Sequence, residues 1–237
     1  MIRQQTSILL ASTFLAFFAC SSAEPEGNGR SNSVAADPLA TAPVEAPKPE
    51  PAQTTTPGEG LFAEIKTAKG TIVCQLEYAL TPMTVASFVA LAEGKHPYVT
   101  TVEKSKHFYD GLTFHRVAPD FVIQGGDPSG NGSGGPGYMF PEEIVPSLRH
   151  DKAGTMAMAR TPARGSNGSQ FYFTLKDTPF LDGDYTVFGH VVSGMDVVKS
   201  IQQGDKMESV TIVAKGKDAE AFDAVKVLEA NKDKFKK

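Results

Sequence analysis

A chain of 237 residues with 41% hydrophobic and 21% charged residues has the make-up of a globular protein, and 22 glycines and 16 prolines foretell many turns. A formal net charge of -4, with no basic run in the central part, gives no footprint for nucleic acid, and the basic cluster Lys232 to Lys237 reads as a solvated end. Two cysteines, Cys20 and Cys74, do not make a disulfide framework.

The chain opens like an export signal. Arg3 precedes an apolar run from Ile8 to Phe18, and small residues follow from Ala19 to Ala23, so residues 1–23 are expected to be a signal region. The run is too short to cross a bilayer as a mature helix, which takes about 20 residues. Ala19-Cys20-Ser21 meets the demand of a bacterial lipoprotein signal, in which Cys20 becomes the lipidated first residue. Phe17 departs from the aliphatic residue usual three positions before the cysteine, and cleavage after Ala23, with Ser21 and Ala23 as a small-x-small site, is the alternative.

Residues 24–60 are Pro, Ala, Thr, Glu and Gly with almost no large apolar side chain, and are expected to be a disordered tether because they bury too little surface to offset chain entropy. From Leu61 the pattern changes to short apolar runs. Phe62 to Thr67 and Thr71 to Leu76 alternate across Lys69-Gly70 and predict a hairpin, with Cys74 as a small buried residue. Thr81 as N-cap, Pro82 at the first helical position, Val85, Phe88, Val89 and Ala92 on one face, and Gly94 as the stop predict a helix. A polar stretch, Lys95 to Lys106, reads as an inserted loop. Further strands are expected at Thr113 to Val117, Phe121 to Gln124, Thr155 to Ala159, Gln170 to Leu175, Thr186 to Val192 and Met207 to Ala214, with a short helix from Met195 to Gln203. Phe222, Val225, Leu228 and Phe235 predict an amphipathic C-terminal helix over 217–237. The fold class is mainly β: a closed eight-stranded antiparallel barrel over 61–216 with two capping helices and the appended C-terminal helix, since closure removes exposed edges.

Phe114-His115-Arg116-Val117 and Phe121-Val122-Ile123-Gln124-Gly125-Gly126-Asp127 resemble the cyclophilin family. Gly130-Asn131-Gly132-Ser133-Gly134-Gly135, Met158-Ala159-Arg160, Asn167-Gly168-Ser169-Gln170-Phe171-Tyr172, Phe180-Leu181-Asp182-Gly183 and Val187-Phe188-Gly189 continue the likeness in the family's order, from Phe62 to Ala214. The resemblance implies a peptidyl-prolyl cis/trans isomerase. It implies Arg116 as the catalytic arginine and Gln124 as the amide that orients it. Phe121, Val122, Tyr172 and Leu181 would line a proline pocket, the backbone of Arg160 beside Ala159 would hold the preceding peptide, and Gly132 would border the adjoining groove. Four departures touch this site: Tyr172 for the usual Phe, Val122 for Met, Tyr185 for His, and Phe180 for the Trp that favours cyclosporin. The Tyr172 hydroxyl is expected to weaken that inhibitor if it is left unpaired in the pocket.

The chemistry asks for the same residue types. An X-Pro bond turns over a barrier of about 18–20 kcal/mol because the amide is partly a double bond. No bond breaks, so neither nucleophile, metal nor cofactor is called for. What helps is a fixed cationic donor beside an apolar grip for the ring, and a guanidinium is such a donor. Gly130-x-Gly132-x-x-Gly135 spells a dinucleotide fingerprint, but Pro136 and Gly137 stand where a helix must open. The five histidines lack ligand spacing, and His115 is assigned to structure because no proton is transferred. Expected partners are proline-containing peptides and folding proteins, with a membrane through the lipid anchor and no nucleic acid. The chain is expected to be a monomer, anchored as a lipoprotein in the bacterial periplasm or on the cell surface, or else soluble in the periplasm or secreted. The alternative to an enzyme is a proline-segment binding or chaperone module with incidental turnover.

Overall fold

The computed structural model of the chain describes residues 58–103 and 105–237. The expected signal region, Cys20 and the tether up to residue 57 lie outside the described residues.

All eight expected strands form. They are β1 (Gly60–Thr67), β2 (Gly70–Leu76), β3 (Arg116–Ala118), β4 (Val122–Gly125), β5 (Thr155–Met158), β6 (Phe171–Thr174), β7 (Val187–Ser193) and β8 (Ser209–Lys215). The sheet order is β3-β4-β6-β5-β7-β2-β1-β8, with every neighbouring pair antiparallel. In the tight β1–β2 turn Thr67 Oγ1 donates to Gly70 O at 2.9 Å and accepts from Lys69 N at 3.1 Å. β1 starts one residue inside the expected tether because Gly60 pairs with Lys215.

β3 and β8 are shorter at their starts than expected. Thr113 and Lys206 form an isolated bridge, and the residues around them exchange backbone bonds with each other: Gly111 N to Met207 O at 2.7 Å, Met207 N to Leu112 O at 2.8 Å, Phe114 N to Asp205 O at 2.8 Å. The sheet order itself ends at β3 on one side and β8 on the other.

Helix α1 (Pro82–Ala92) differs from expectation in two ways. It is buried on every face from Met83 to Ala92, where one apolar face was expected. One side meets the sheet through Phe88, which packs on Tyr109, Phe171 and Phe188. Other neighbours come from remote segments: Ser87 Oγ lies 2.8 Å from the Tyr138 hydroxyl, and α1 packs on a C-terminal helix. Thr81 occupies the N-cap position without making a side-chain cap, since its hydroxyl donates to Glu77 O. The Glu143 carboxylate does that work, accepting from Met83 N at 3.1 Å and from Thr84 N and Thr84 Oγ1 at 2.6 Å each. A negative charge on the first free N–H groups is what a helix start favours.

Helix α2 (Met195–Ser200) is three residues shorter than expected. The C-terminal segment is not one helix. It breaks into α3 (Lys217–Glu220), α4 (Ala224–Ala230) and a 3-10 turn at Lys232–Lys234. Asp223 takes an extended backbone and its carboxylate accepts from Lys226 N, which starts a new helix. The break sends Phe222 to Tyr78 and Phe235 to Tyr138 and Phe140, two separate aromatic sites.

Strand periodicity places the candidate site. β5 and β6 are buried throughout, Thr-Met-Ala-Met and Phe-Tyr-Phe-Thr. Alternation sends Met156, Met158, Phe171 and Phe173 into the main core, and Ala157 and Tyr172 to the opposite face, where they meet Val122 and Val187 in a second apolar cluster. Cys74 is buried in the main core, and burial pushes its thiol pKa up.

Candidate active site

Arg116 and Gln124 are direct partners in the β3–β4 ladder, so their side chains rise from the same face. Arg116 Nη1 donates to Gln124 Oε1 at 3.3 Å, and the exposed guanidinium lies 5.8 Å from the centre of the Phe121 ring. Gln124 Nε2 in turn donates to Gln170 Oε1 at 2.9 Å, and Gln170 Nε2 donates to the carbonyls of Gly132 and Gly134 at 3.0 and 2.8 Å. Because Gln170 is held by two fixed carbonyls, the direction of each amide is set, and Gln124 presents its oxygen to the arginine. Gln170 stands in a motif used for the family likeness, but its positioning part was not read from the sequence.

The second apolar cluster lies beside this chain. Val122 and Tyr172 are buried in it, and Phe121, Ala159, Leu181 and Tyr185 pack around them. Phe180 stacks on Phe121 at 5.9 Å and is 70% exposed, so it stands at the solvent edge of this cluster. The structure thus brings together every expected pocket residue.

The hydroxyl of Tyr172 corrects one expectation: it is not left unpaired. His150, fully buried, lies 2.9 Å from it through Nε2, and Nδ1 lies 2.9 Å from Asp182 Oδ1. A carboxylate only accepts, so Nδ1 carries the proton and Nε2 accepts from the tyrosine. Asp182 also accepts from His150 N and from Arg149 Nε. Burial lowers the His150 pKa against the pull of Asp182, and burial pushes the Tyr172 hydroxyl up, so the relay is neutral at the ring. No local pattern signals this pair, because His150 and Tyr172 stand 22 residues apart in the chain.

Arg160 is held as firmly. Its side chain is only 6% exposed, with Nε 3.1 Å from Glu142 Oε1, Nε and Nη2 donating to Asp184 O at 3.0 and 2.9 Å, and the guanidinium 4.9 Å from the centre of the Tyr185 ring. Beyond it a cavity of about 720 Å³ is bordered by Gln124, Gly132, Ala159 and Arg160.

The glycine-rich loop wraps a carboxylate. Asp127 accepts from the backbone N–H groups of Ser129, Asn131 and Gly132. Burial works to raise its pKa, but the surrounding amides outweigh it and hold the carboxyl below the usual range. A Cβ at Gly134 would meet the Asp127 carboxylate and the Ser129 side chain, so any larger residue here must push the carboxylate off its amides. His115 has both ring nitrogens buried without a partner among the described residues, and burial first, then Arg116, lowers its pKa against the pull of Asp127. Among the described residues no cluster of His, Cys, Asp or Glu has the arrangement of a metal site.

Comparison with known proteins bears on this geometry. The family description "Cyclophilin type peptidyl-prolyl cis-trans isomerase/CLD" matches residues 62–230. A "Peptidyl-prolyl cis-trans isomerase B" of Streptomyces anulatus is 46% identical over 148 residues, 60% of this chain and 84% of that protein. A "Peptidyl-prolyl cis-trans isomerase" of Helicobacter pylori is 42% identical over 151 residues, 63% of this chain and 85% of that protein. Among solved structures, a cyclophilin type isomerase of Cryptosporidium parvum superposes with a TM-score of 0.56 at 27% identity, covering 65% of this chain and 98% of that one. The same protein crystallised in the presence of the dipeptide Ala-Pro gives a TM-score of 0.53 at 28% identity, covering 66% and 99%.

Proposed function

Because this chain belongs to the cyclophilin-type peptidyl-prolyl cis-trans isomerase family and is such an isomerase, we propose that it turns X-Pro bonds of exported proteins between Arg116 and the Tyr172 pocket. The observation that carries the assignment is the Arg116–Gln124 contact at 3.3 Å beside the apolar cluster of Val122, Ala157, Tyr172 and Val187.

In this reading the proline ring enters between Phe121, Val122, Leu181 and Tyr172, and burial of its ring carbons holds that half of the bond still. The preceding residues cross Ala159 and Arg160 toward Gly132. As the amide twists, nitrogen recovers its lone pair and resonance across the C–N bond is lost. A guanidinium donor beside the twisted amide stabilises this state more than the planar one, and only such a difference speeds the step. Gln124, oriented by Gln170, keeps the fork of Arg116 over Phe121. Tyr185, under the Arg160 cation, closes the pocket's far side. A binding module with incidental turnover has no need of an arginine directed in this way.

The expected closure of the sheet into a barrel belongs to the same reading. It is supported by the backbone bonds that join residues 111–114 to 204–207, ahead of the two end strands. The division at residues 60 and 217, a monomeric state and a lipid anchor at Cys20 are likewise proposed. The anchor rests on Ala19-Cys20-Ser21 and the proline-rich segment after it; two acyl chains anchor stably where one is marginal.

A protease-coupled proline isomerisation assay tests the mechanism. Arg116→Ala should lower kcat/KM by about 100-fold or more with circular dichroism unchanged, and activity within a few fold of wild type sinks the role of Arg116. Mass spectrometry of the mature N-terminus tests the anchor: a lipidated Cys20 is expected, and an unmodified chain beginning at Glu24 means ordinary cleavage.

A further inference from the structure

The cavity beyond Arg160 has a far wall built by two segments outside the strand framework. One is the polar loop after α1: Thr101 Oγ1 donates to Gly135 O at 2.9 Å, and Thr100 N donates to Pro136 O at 3.1 Å. The other is the end of the sequence. Lys236 and Met139 exchange both backbone bonds, each at 2.8 Å, and Lys236 and Lys237 line the cavity. Phe235 fixes this segment, packing 5.4 Å from Tyr138 and 5.4 Å from Phe140. The family match covers residues 62–230, and the two lysines lie outside it.

Charge in the cavity is uneven. Two cations beside the cavity are matched, Arg160 by Glu142 at 3.1 Å and Arg164 by Asp184 at 2.6 Å, while Arg116 is held by the neutral amide of Gln124. The Asp127 carboxylate is turned into its own loop by backbone amides. Among the described residues, neither Lys236 nor Lys237 has a carboxylate within ion-pair distance, and both are exposed. The groove therefore has the Arg116 guanidinium at the proline end and two lysines without an Asp or Glu partner at the other.

Resting on the reading that an X-Pro peptide lies in this groove, we propose that Lys236 and Lys237 form an extended subsite. It selects an acidic side chain two or three residues before the proline. An extended peptide advances about 3.3 Å per residue, so residues preceding the one over Ala159 and Arg160 fall in the cavity. The two backbone bonds to Met139 fix the main chain of Lys236 at the cavity wall before the peptide arrives, and the exposed side chains limit the gain to that of a surface pair.

The experiment uses the full chain and blocked peptides that differ only in Glu, Gln or Lys at the second or third position before proline. Wild type should give Glu over Gln, and Gln over Lys, by about two- to fivefold each in kcat/KM at low salt, with the preference fading as salt screens it. In a folded chain carrying Lys236→Glu and Lys237→Glu the order should reverse; the readout is the ratio between peptides within each protein. Equal Glu and Gln values in wild type, a preference insensitive to salt, or an order unchanged by the double substitution overturns the subsite. An all-alanine peptide separates the two levels: if wild type fails to isomerise it, the reading of the groove falls first.

Discussion

His96 should make this fold acid-labile, and the size of the effect follows from its surroundings. The ring stacks on Tyr138 at 4.4 Å, Nδ1 accepts from Tyr98 N at 3.2 Å, and Nε2 lies 3.5 Å from Ser87 Oγ. An acceptor Nδ1 fixes the neutral form with the proton on Nε2, and adding a second proton would set it against the Tyr98 N–H. Burial lowers the pKa from 6.5 to about 3. The unfolded chain binds a proton near pH 6.5 while the folded chain does not, so this stabilisation is complete above pH 6.5 and is lost as pH falls from there toward about 3. Each pH unit inside that window costs about 1.4 kcal/mol. Between pH 6.5 and 4.5 the loss is about 2.5 kcal/mol, a large part of the roughly 5–15 kcal/mol that holds an ordinary domain. His96→Gln keeps an acceptor and a donor without titrating. In urea unfolding across this range, the stability of wild type relative to His96→Gln should therefore fall by about 2.5 kcal/mol as pH drops from 6.5 to 4.5, whatever their gap at pH 7. His115 and His150, whose pKa values are also lowered, act equally in both proteins and cancel. The carboxyls of Asp127, Asp182 and Asp205, all held below 3.8, give way only at lower pH. Parallel curves between pH 6.5 and 4.5 would refute the reasoning.

Three further outcomes follow from the structure. Glu143→Ala strips two buried N–H groups at the start of α1 of a charged acceptor and should cost about 2–3 kcal/mol, lowering Tm by about 4–12 °C; a Tm within 1 °C of wild type would be inconsistent with remote capping. Tyr172→Phe orphans the buried Nε2 of His150 and should cost about 1–3 kcal/mol in urea unfolding at pH 7.5, and no loss there would mean that the relay carries no energy. Because the Tyr172 hydroxyl is paired, weak cyclosporin inhibition rests on Phe180 alone: Phe180→Trp adds an indole donor at an exposed rim and should tighten inhibition about two- to tenfold, and equal inhibition of the two proteins would remove that rim contact.

The strands were legible because their signals are local, and the proposed Arg116–Gln124 pair because the family motifs that carry it are continuous in the chain. Alternation in Thr71 to Leu76 and in Gln170 to Leu175 follows directly from the pleat, and Arg116 and Gln124 sit at opposed ladder positions eight residues apart. Family motifs then supplied the pocket, whose members come from separate strands and loops. The errors fell where a distant segment overruled a local preference. Thr81 has the composition of an N-cap, yet Glu143, 60 residues beyond Met83, makes the cap. The spacing of Phe222 and Phe235 suits one helix, yet each ring has its own aromatic site, and Asp223 restarts the chain between them.

By itself the sequence determined which residues alternate and where turns fall. Backbone geometry and hydrophobic period act over a few residues, so a linear string contains them. Tertiary structure alone decided which charges and hydrogen bonds are satisfied. His150 could be a surface histidine until Tyr172 and Asp182 enclose it, Arg160 could be an exposed cation until Glu142 and Tyr185 bury it, and Lys236 and Lys237 could be a solvated end until Met139 draws them to the groove. The strength of a polar contact depends on what surrounds it in three dimensions, and residues far apart in the chain supply those surroundings.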